Sequence, residues 1–382
     1  MMKIAFIADA HLGQTQYGIP ARGDDYAEAL RYAVRKAIDE KCDVLIFGGD
    51  MFHVPRPPSS AAMTLWHLCE EFAQSRERDV CRNGDTTTVR NLVLSIDGNH
   101  DNTEGRWMTM CGAIPLEWRG DVDECGHPAV YNAGSMDGKT TCRIAGIDGG
   151  NTKAILAKLD AMSKSKEQFD VLVMHLPLAE MSGFPVEVSA KTVAAAAKNC
   201  GVKLVLLGDI HDAKETVVDG IRFVYSGSPE VTAWDESPDK SFVIADFDGD
   251  SKAFDVRRIP IPVREQISVS VESEDDLSKL ANEVKSGPLY HVRYSGLVEN
   301  ARERIASIMS GANALFRCMP LPKTEPPKQA DRKGFRASFA EIVEEDFGND
   351  VESKDLLTML ILAPDDAVDT LKKYLRRKGV KA

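Results

Sequence analysis

Seven short apolar, β-branched runs, each closed by polar punctuation, constrain the fold of this chain more than any other feature: KIAFIA, DVLIFGG, NLVLSI, RIAGI, DVLVM, KLVLLG and RFVYSG. Between several of them lie helical patterns, DYAEALRYAVRKAIDEK, SSAAMTLWHLCEEFAQSR and AKTVAAAAKNCG. Strand and helix alternation of this kind predicts a layered α/β domain with helices covering a central sheet. A late strand in DKSFVIADFDG carries that domain to about residue 265, and the polar segment from Arg76 to Arg90 reads as a long surface loop.

A second strand, helix, strand pattern starts at REQISVSVESEDDLSKLANEVKSGPLYHVRYSG, followed by a helix near Ala301 to Met309 and a strand ALFRCM, which predicts a small α/β unit over 266–320. The proline and lysine cluster of 321–336 reads as a linker. Residues 337–382 carry helical spacing, with Ser353 and Asp365 or Asp366 near helix starts. Helices that short bury little alone, so their apolar faces are expected to dock on a partner.

With 43% hydrophobic and 28% charged residues the 382-residue chain has an ordinary globular composition, long enough for two or three domains. No apolar run approaches bilayer length, and MMKIAFIADAHLG reads as a first strand, not a signal peptide. Eight cysteines without CxxC pairs favour reduced, buried thiols, so a cytoplasmic location is expected and no membrane partner. A net charge of -12 argues against charge-driven binding to nucleic acid, unless bound cations supply the positive charge. The metal question therefore decides the functional class.

Ligand-capable residues fall just past the ends of five of the expected strands, where open α/β sheets place their sites. IADAH offers Asp9 and His11, FGGD offers Asp50, and DGNHD offers Asn99, His100 and Asp101. VMH offers His175, and GDIH offers Asp209 and His211. Mixed carboxylate, imidazole and amide donors suit two divalent ions of the manganese, iron or zinc sort better than a thiolate zinc site. Gly48, Gly49, Gly98 and Gly208 fit the tight turns of a crowded site.

In order and in position these motifs resemble the five of the calcineurin-like metallophosphoesterases, D-x-H, G-D, G-N-H-D, H and G-H-x-H. Within that superfamily DAHLG, GGDMF, GNHDN and YSGSPEVTAWDE are similar to the SbcD-type DNA repair nucleases and related phage recombination endonuclease subunits. The resemblance covers residues 1–265 well and the rest more loosely. It implies a layered sandwich with a small α/β capping domain and C-terminal helices. It also implies one metal held by Asp9, His11 and His211, a second held by Asn99 and His175, and Asp50 bridging both. His100 would stand beside the scissile phosphate, with Asp101 orienting its imidazole. Two cations, Mn2+ or else Mg2+, would acidify a shared water for in-line attack.

The family pattern places a histidine where this chain has Asp209. A carboxylate still binds manganese or magnesium and favours harder ions, at the cost of Lewis acidity. The other reading is a turn cap beside a lost second metal. The implied activity is a 3' to 5' exonuclease and single-strand endonuclease acting on DNA as a homodimer, with contacts from helices after residues 59 and 103. Its implied partner is an SbcC-like coiled-coil ATPase. The alternatives are a nucleotide phosphodiesterase or phosphatase of the same superfamily, and a catalytically weakened DNA-repair scaffold.

Other candidates keep two readings. His53 is either a phosphate contact or a solvated loop histidine, and Ser226 and Ser228 either donate hydrogen bonds at the rim of the site or belong to a plain turn. The basic residues Lys372, Lys373, Arg376, Arg377 and Lys378 are either a DNA contact or a solvated helix face. His67, His127 and His291 receive no role.

Overall fold

The computed structural model describes residues 1–321 apart from 83–84, 102–106, 117–129, 166, 184 and 297. Two six-stranded sheets stack face to face. One runs Ala253–Pro260, Ser241–Asp248, Met2–Ile7, Val44–Gly48, Leu92–Ile96 and Ile114–Pro115 from edge to edge. The other runs Lys214–Val218, Ile221–Tyr225, Leu204–Gly208, Val171–His175, Thr141–Ile147 and Val130–Gly134. Their central strands are parallel: Met2–Ile7 with Val44–Gly48 and Leu92–Ile96, and Leu204–Gly208 with Val171–His175 and Thr141–Ile147.

Three apolar layers hold this sandwich. Ile4, Phe6, Ile46 and Leu94 of the first sheet meet Ile144, Val173, Leu206 and Val224 of the second between the sheets. On the outer face of the first sheet, Ile7, Leu45 and Phe47 pack under Leu30, Ala33, Leu65 and Phe72 of helices Pro20–Asp39 and Ser59–Gln74. On the outer face of the second, Leu172, Met174 and Leu207 pack under Leu159 and Val193 of helices Thr152–Lys164 and Ala190–Asn199. Strands covered on both faces need apolar residues at successive positions, which is why they read as continuous runs and not as alternation. The expected layered α/β architecture is thus the observed one, with two sheets where the runs alone indicated one.

One local expectation fails. The segment expected as a surface loop forms an antiparallel ribbon, Glu77–Arg82 against Asp85–Arg90. Its Thr-rich second arm and the Asn83-Gly84 dipeptide are hairpin chemistry, outweighed in the sequence by the segment's polarity.

Three further strands, Gln266–Val271, Leu289–Tyr294 and Leu315–Pro320, form a separate parallel sheet. Helices Glu274–Glu283 and Ala301–Gly311 connect them and bury Leu277, Leu280, Ile305 and Met309 against Val271 and Val292. A Ser273–Asp276 capping box starts the first of these helices. Cys42, Cys69, Cys111, Cys142 and Cys200 are buried free thiols. No helix among the described residues is long and apolar enough to cross a membrane. His127, most of the expected linker, and all of 337–382 with its basic residues lie outside the described residues.

Candidate metal centre

The parallel strands of both sheets end at the same edge of the sandwich, and that edge gathers every ligand-capable residue named above. Asp9 and His11 follow Met2–Ile7, Asp50 follows Val44–Gly48, His175 ends Val171–His175, and Asp209 and His211 follow Leu204–Gly208. The first two loops run side by side, with Asp9 N–H donating to Gly49 O and His11 N–H to Asp50 O, both at 3.0 Å. Asp9, His11, Asp50 and Asp209 all adopt left-handed backbone conformations, with φ of 57°, 45°, 52° and 87°. Four non-glycine residues in that region mark a strained site held by its surroundings. A Cβ on Gly98 would run into the Asp50 carboxylate and backbone nitrogen, so this loop can approach Asp50 only as glycine.

Three triads among the described residues offer converging donor atoms: Asp9, His11 and His211; Asp9, Asp50 and His175; and His11, His53 and His100. The His175 Nδ1 faces Gly48 O at 2.8 Å, an acceptor, so Nδ1 carries a proton and Nε2 points into the carboxylates. From Nε2 the distances are 3.3 Å to Asp50 Oδ2, 3.7 Å to Asp209 Oδ1 and 3.9 Å to Asp9 Oδ1. This nitrogen is buried with no hydrogen-bond partner of good geometry among the described residues. Likewise His11 Nε2 and His211 Nε2 face each other at 3.2 Å. Imidazole nitrogens turned toward one another and toward carboxylates are what a divalent cation, taking the place of protons, would satisfy. The donor set fits such ions.

Electrostatics in the cation-free chain agree with that crowding. Burial raises Asp9 to about 6, with Asp50 and Asp209 adding to the rise against His175 and His211. His11 falls to about 3 through burial and the neighbouring His211. Burial opposes ionisation of Asp50, but the His175 imidazole 3.3 Å away and the His100 N–H hold it down to about 2. Burial works against protonation of His175 too, yet Asp50 and Asp9 lift it to about 10.

Asp209 faces the cluster. Its N–H donates to both Asp9 oxygens at 3.1 Å, and its Oδ1 accepts from Asn99 Nδ2 at 3.1 Å. Burial raises its carboxyl above the usual range. His100 lies beside Asp50, its N–H donating to Asp50 Oδ1 at 2.7 Å and its Nε2 standing 4.0 Å from Oδ2. The group seen to orient the His100 ring is the His53 carbonyl, 2.7 Å from Nδ1. Asp101 is buried beneath the loop and accepts N–H bonds from Met51, Phe52 and Gly98, so it organises backbone around the site. His53 is half-buried, not solvated: its ring stacks on His100 at 5.6 Å and meets His11 edge-on at 5.7 Å.

The segment 226–240 supplies partners that sequence reasoning missed. His211 Nδ1 bonds Glu236 Oε1 at 2.8 Å and Thr232 Oγ1 at 2.5 Å, while Lys240 Nζ bonds Glu236 Oε2 at 2.6 Å. Burial opposes it, but His211 and Lys240 hold Glu236 ionised, down to about 2. A carboxylate behind a histidine fixes its tautomer and orientation. Ser226 and Ser228 do not turn to the cluster: their hydroxyls donate to Gly227 O and Glu230 O at 2.9 and 2.8 Å, because the buried turn has carbonyls to satisfy. Glu236 closes the quoted stretch YSGSPEVTAWDE, but 25 residues separate it from His211 and no local period links them.

Residues 2–213 match the family model described as "Calcineurin-like phosphoesterase". The DNA double-strand break repair protein Mre11 of Archaeoglobus fulgidus is 26% identical over 245 residues, 60% of this chain and 50% of that protein. Mre11 of Haloferax volcanii is 27% identical over 282 residues, 72% of this chain and 56% of that protein. Mre11 of Methanocaldococcus jannaschii is 23% identical over 296 residues, 74% of this chain and 73% of that protein. The chain thus spans about half the length of the first two.

Ionised Asp9 costs stability in the cation-free chain, because its folded-state pKa is raised: the cost is absent below the unfolded value of 3.8 and is complete once pH has risen through about 6. Asp9→Asn is therefore expected to raise the cation-free Tm at pH 8 and leave it nearly unchanged at pH 4. Millimolar Mn2+ at pH 8 is expected to raise the wild-type Tm and not that of Asp9→Asn, since ligand bound only to the folded state stabilises it by mass action. Differential scanning calorimetry checks both; equal cation responses would remove Asp9 from the centre.

Proposed function

The chain belongs to the calcineurin-like phosphoesterase family, and on that premise we propose that it is the nuclease subunit of an SbcCD-like recombination and repair complex, a metal-dependent DNA phosphodiesterase. The observation that carries this reading is the meeting of Asp9, Asp50 and His175 with Asn99, His100 and His211 at one sandwich edge. Relatives named for DNA double-strand break repair support DNA as the substrate.

Asp9, His11 and His211 would hold one ion, Asn99, His175 and Asp209 the other, and Asp50 would reach both. When bound, the paired divalent ions, Mn2+ by this donor set, neutralise phosphodiester charge and acidify a water for attack. The protein's own groups do the positioning. His53 O holds the Nδ1 proton of His100, leaving Nε2 turned toward the cluster, where a proton serves the leaving oxygen. Glu236 fixes the ring of His211, and Gly48 O that of His175. Both 3' to 5' exonuclease and single-strand endonuclease activities are proposed, with no membrane partner and a cytoplasmic location.

We further place a homodimer contact on helix Ser59–Gln74 and segment Trp107–Met110, where Met63, Trp66 and Met110 are exposed. Residues 337–382 are proposed to bind a coiled-coil ATPase.

Manganese-dependent cleavage of single- and double-stranded DNA is the primary test, with the ATPase present. His100→Ala is expected to slow it by roughly 10²- to 10⁴-fold while cation binding persists. Intact DNA under these conditions, with turnover of an aryl phosphodiester, would redirect the reading to a nucleotide phosphodiesterase. Asp209→His is expected to shift preference from Mn2+ toward Zn2+ in the same assay. An unchanged metal profile would leave Asp209 as a turn cap. Analytical ultracentrifugation checks the two contacts: Trp66→Glu should yield monomer, and truncation before residue 337 should keep the dimer but lose the ATPase. A dimeric Trp66→Glu or an ATPase-binding truncation refutes the corresponding contact.

A further inference from the structure

We propose that the small three-stranded unit is part of the support of the metal centre: His291, on its central strand, is a positioning residue that fixes the 232–236 turn and thereby sets how tightly His211 holds a cation. This rests on the metal reading of the cluster.

The coupling is a short chain of contacts. His291 is buried, with its ring centroid 3.3 Å from that of Trp234 and 5.1 Å from that of Tyr17. Trp234 lies between Thr232 and Glu236, the two side chains bonded to His211 Nδ1. Tyr17 adjoins Gln16, whose amide donates to Thr232 O at 2.7 Å. One ring of the small unit is thus wedged between Trp234, two residues from each of the partners of His211, and Tyr17, whose neighbour Gln16 bonds one of them. Arg317, on the neighbouring strand, closes over Tyr17 with its guanidinium 4.2 Å from the ring centroid. Tyr17 itself sits at φ 59°, a conformation a tyrosine keeps only when its surroundings hold it.

A second route ends on the same segment. Arg264, at the entry to the small unit, grips Asp25 through two bonds of 2.7 and 2.6 Å, and Asp25 accepts from Arg22 at 2.7 Å. The fully buried Arg22 reaches Glu230 at 3.1 Å and Val231 O at 2.9 Å. Both routes therefore converge on residues 230–236.

Neither ring nitrogen of His291 has a hydrogen-bond partner among the described residues. Its contribution is the shape of a flat ring between two others, which a phenylalanine would reproduce and an alanine would not. Pure interface packing would weaken the whole fold; positioning acts on one metal site.

The test is Mn2+ titration of the full chain by isothermal calorimetry and electron paramagnetic resonance, for wild type, His291→Ala and His291→Phe. Wild type is expected to bind two ions. His291→Ala should weaken one of the two by about tenfold, the size seen when support behind a metal-bound histidine is lost, and His291→Phe should restore it. Should His291→Ala fail to fold, Trp234→Leu removes the same contact from the other side and is read identically. Two wild-type-like sites in the alanine variant, or both sites weakened equally, overturns the inference alone. A wild-type chain that binds no cation overturns the metal reading and this inference with it.

Discussion

Negative charge gathered where water is excluded is the constraint on which the rest of this structure depends. Asp9, Asp50 and Asp209 all lie within 3.9 Å of one imidazole nitrogen, and Asp9 and Asp50 are nearly inaccessible to solvent. Isolated carboxylates would not remain there, since desolvation strongly opposes ionisation. They are held by backbone: left-handed turns at the strand ends, N–H donors from His100 and Asp209, and a glycine at 98 that lets one loop lie against Asp50. That arrangement rests on a close-packed apolar layer between the two sheets, which resists displacement.

The site has two unlike sides. Around His100 the rings of His53 and His11 and the His53 carbonyl form an imidazole face that is partly open to solvent. Around His211 the support is ionic, running through the partly buried Glu236 to the buried Lys240. The first side suits proton transfer to a departing oxygen, the second suits holding an ion in one place. Among the described residues the three-stranded unit meets the second side, through the contacts of His291 with Trp234 and Tyr17.

Much of this was legible in the chain. Continuous apolar runs announced the strands of a layered α/β domain, and the polar residues immediately after them named Asp9, His11, Asp50, Asn99, His100, His175, Asp209 and His211, because a strand end is a local feature. The hairpin over 77–90 was legible too, in its Asn-Gly pair, but was outweighed by polarity. What stayed hidden had no local signature. Glu236 meets His211 across 25 residues, and His291 reaches Trp234 only because the small unit is folded back against the sandwich.

The sequence by itself determined which strands form and which donors stand at their ends, since both depend on neighbours along the chain. Tertiary structure alone decided that the central parallel strands of two mixed sheets end at one edge, that Asp209 turns its carboxylate inward beside Asn99, that the His53 carbonyl steadies His100, that Glu236 backs His211 and that Trp234 lies tilted against His291. Those choices depend on how sheets stack and loops cross, and distances between residues hundreds of positions apart are not written in any local period.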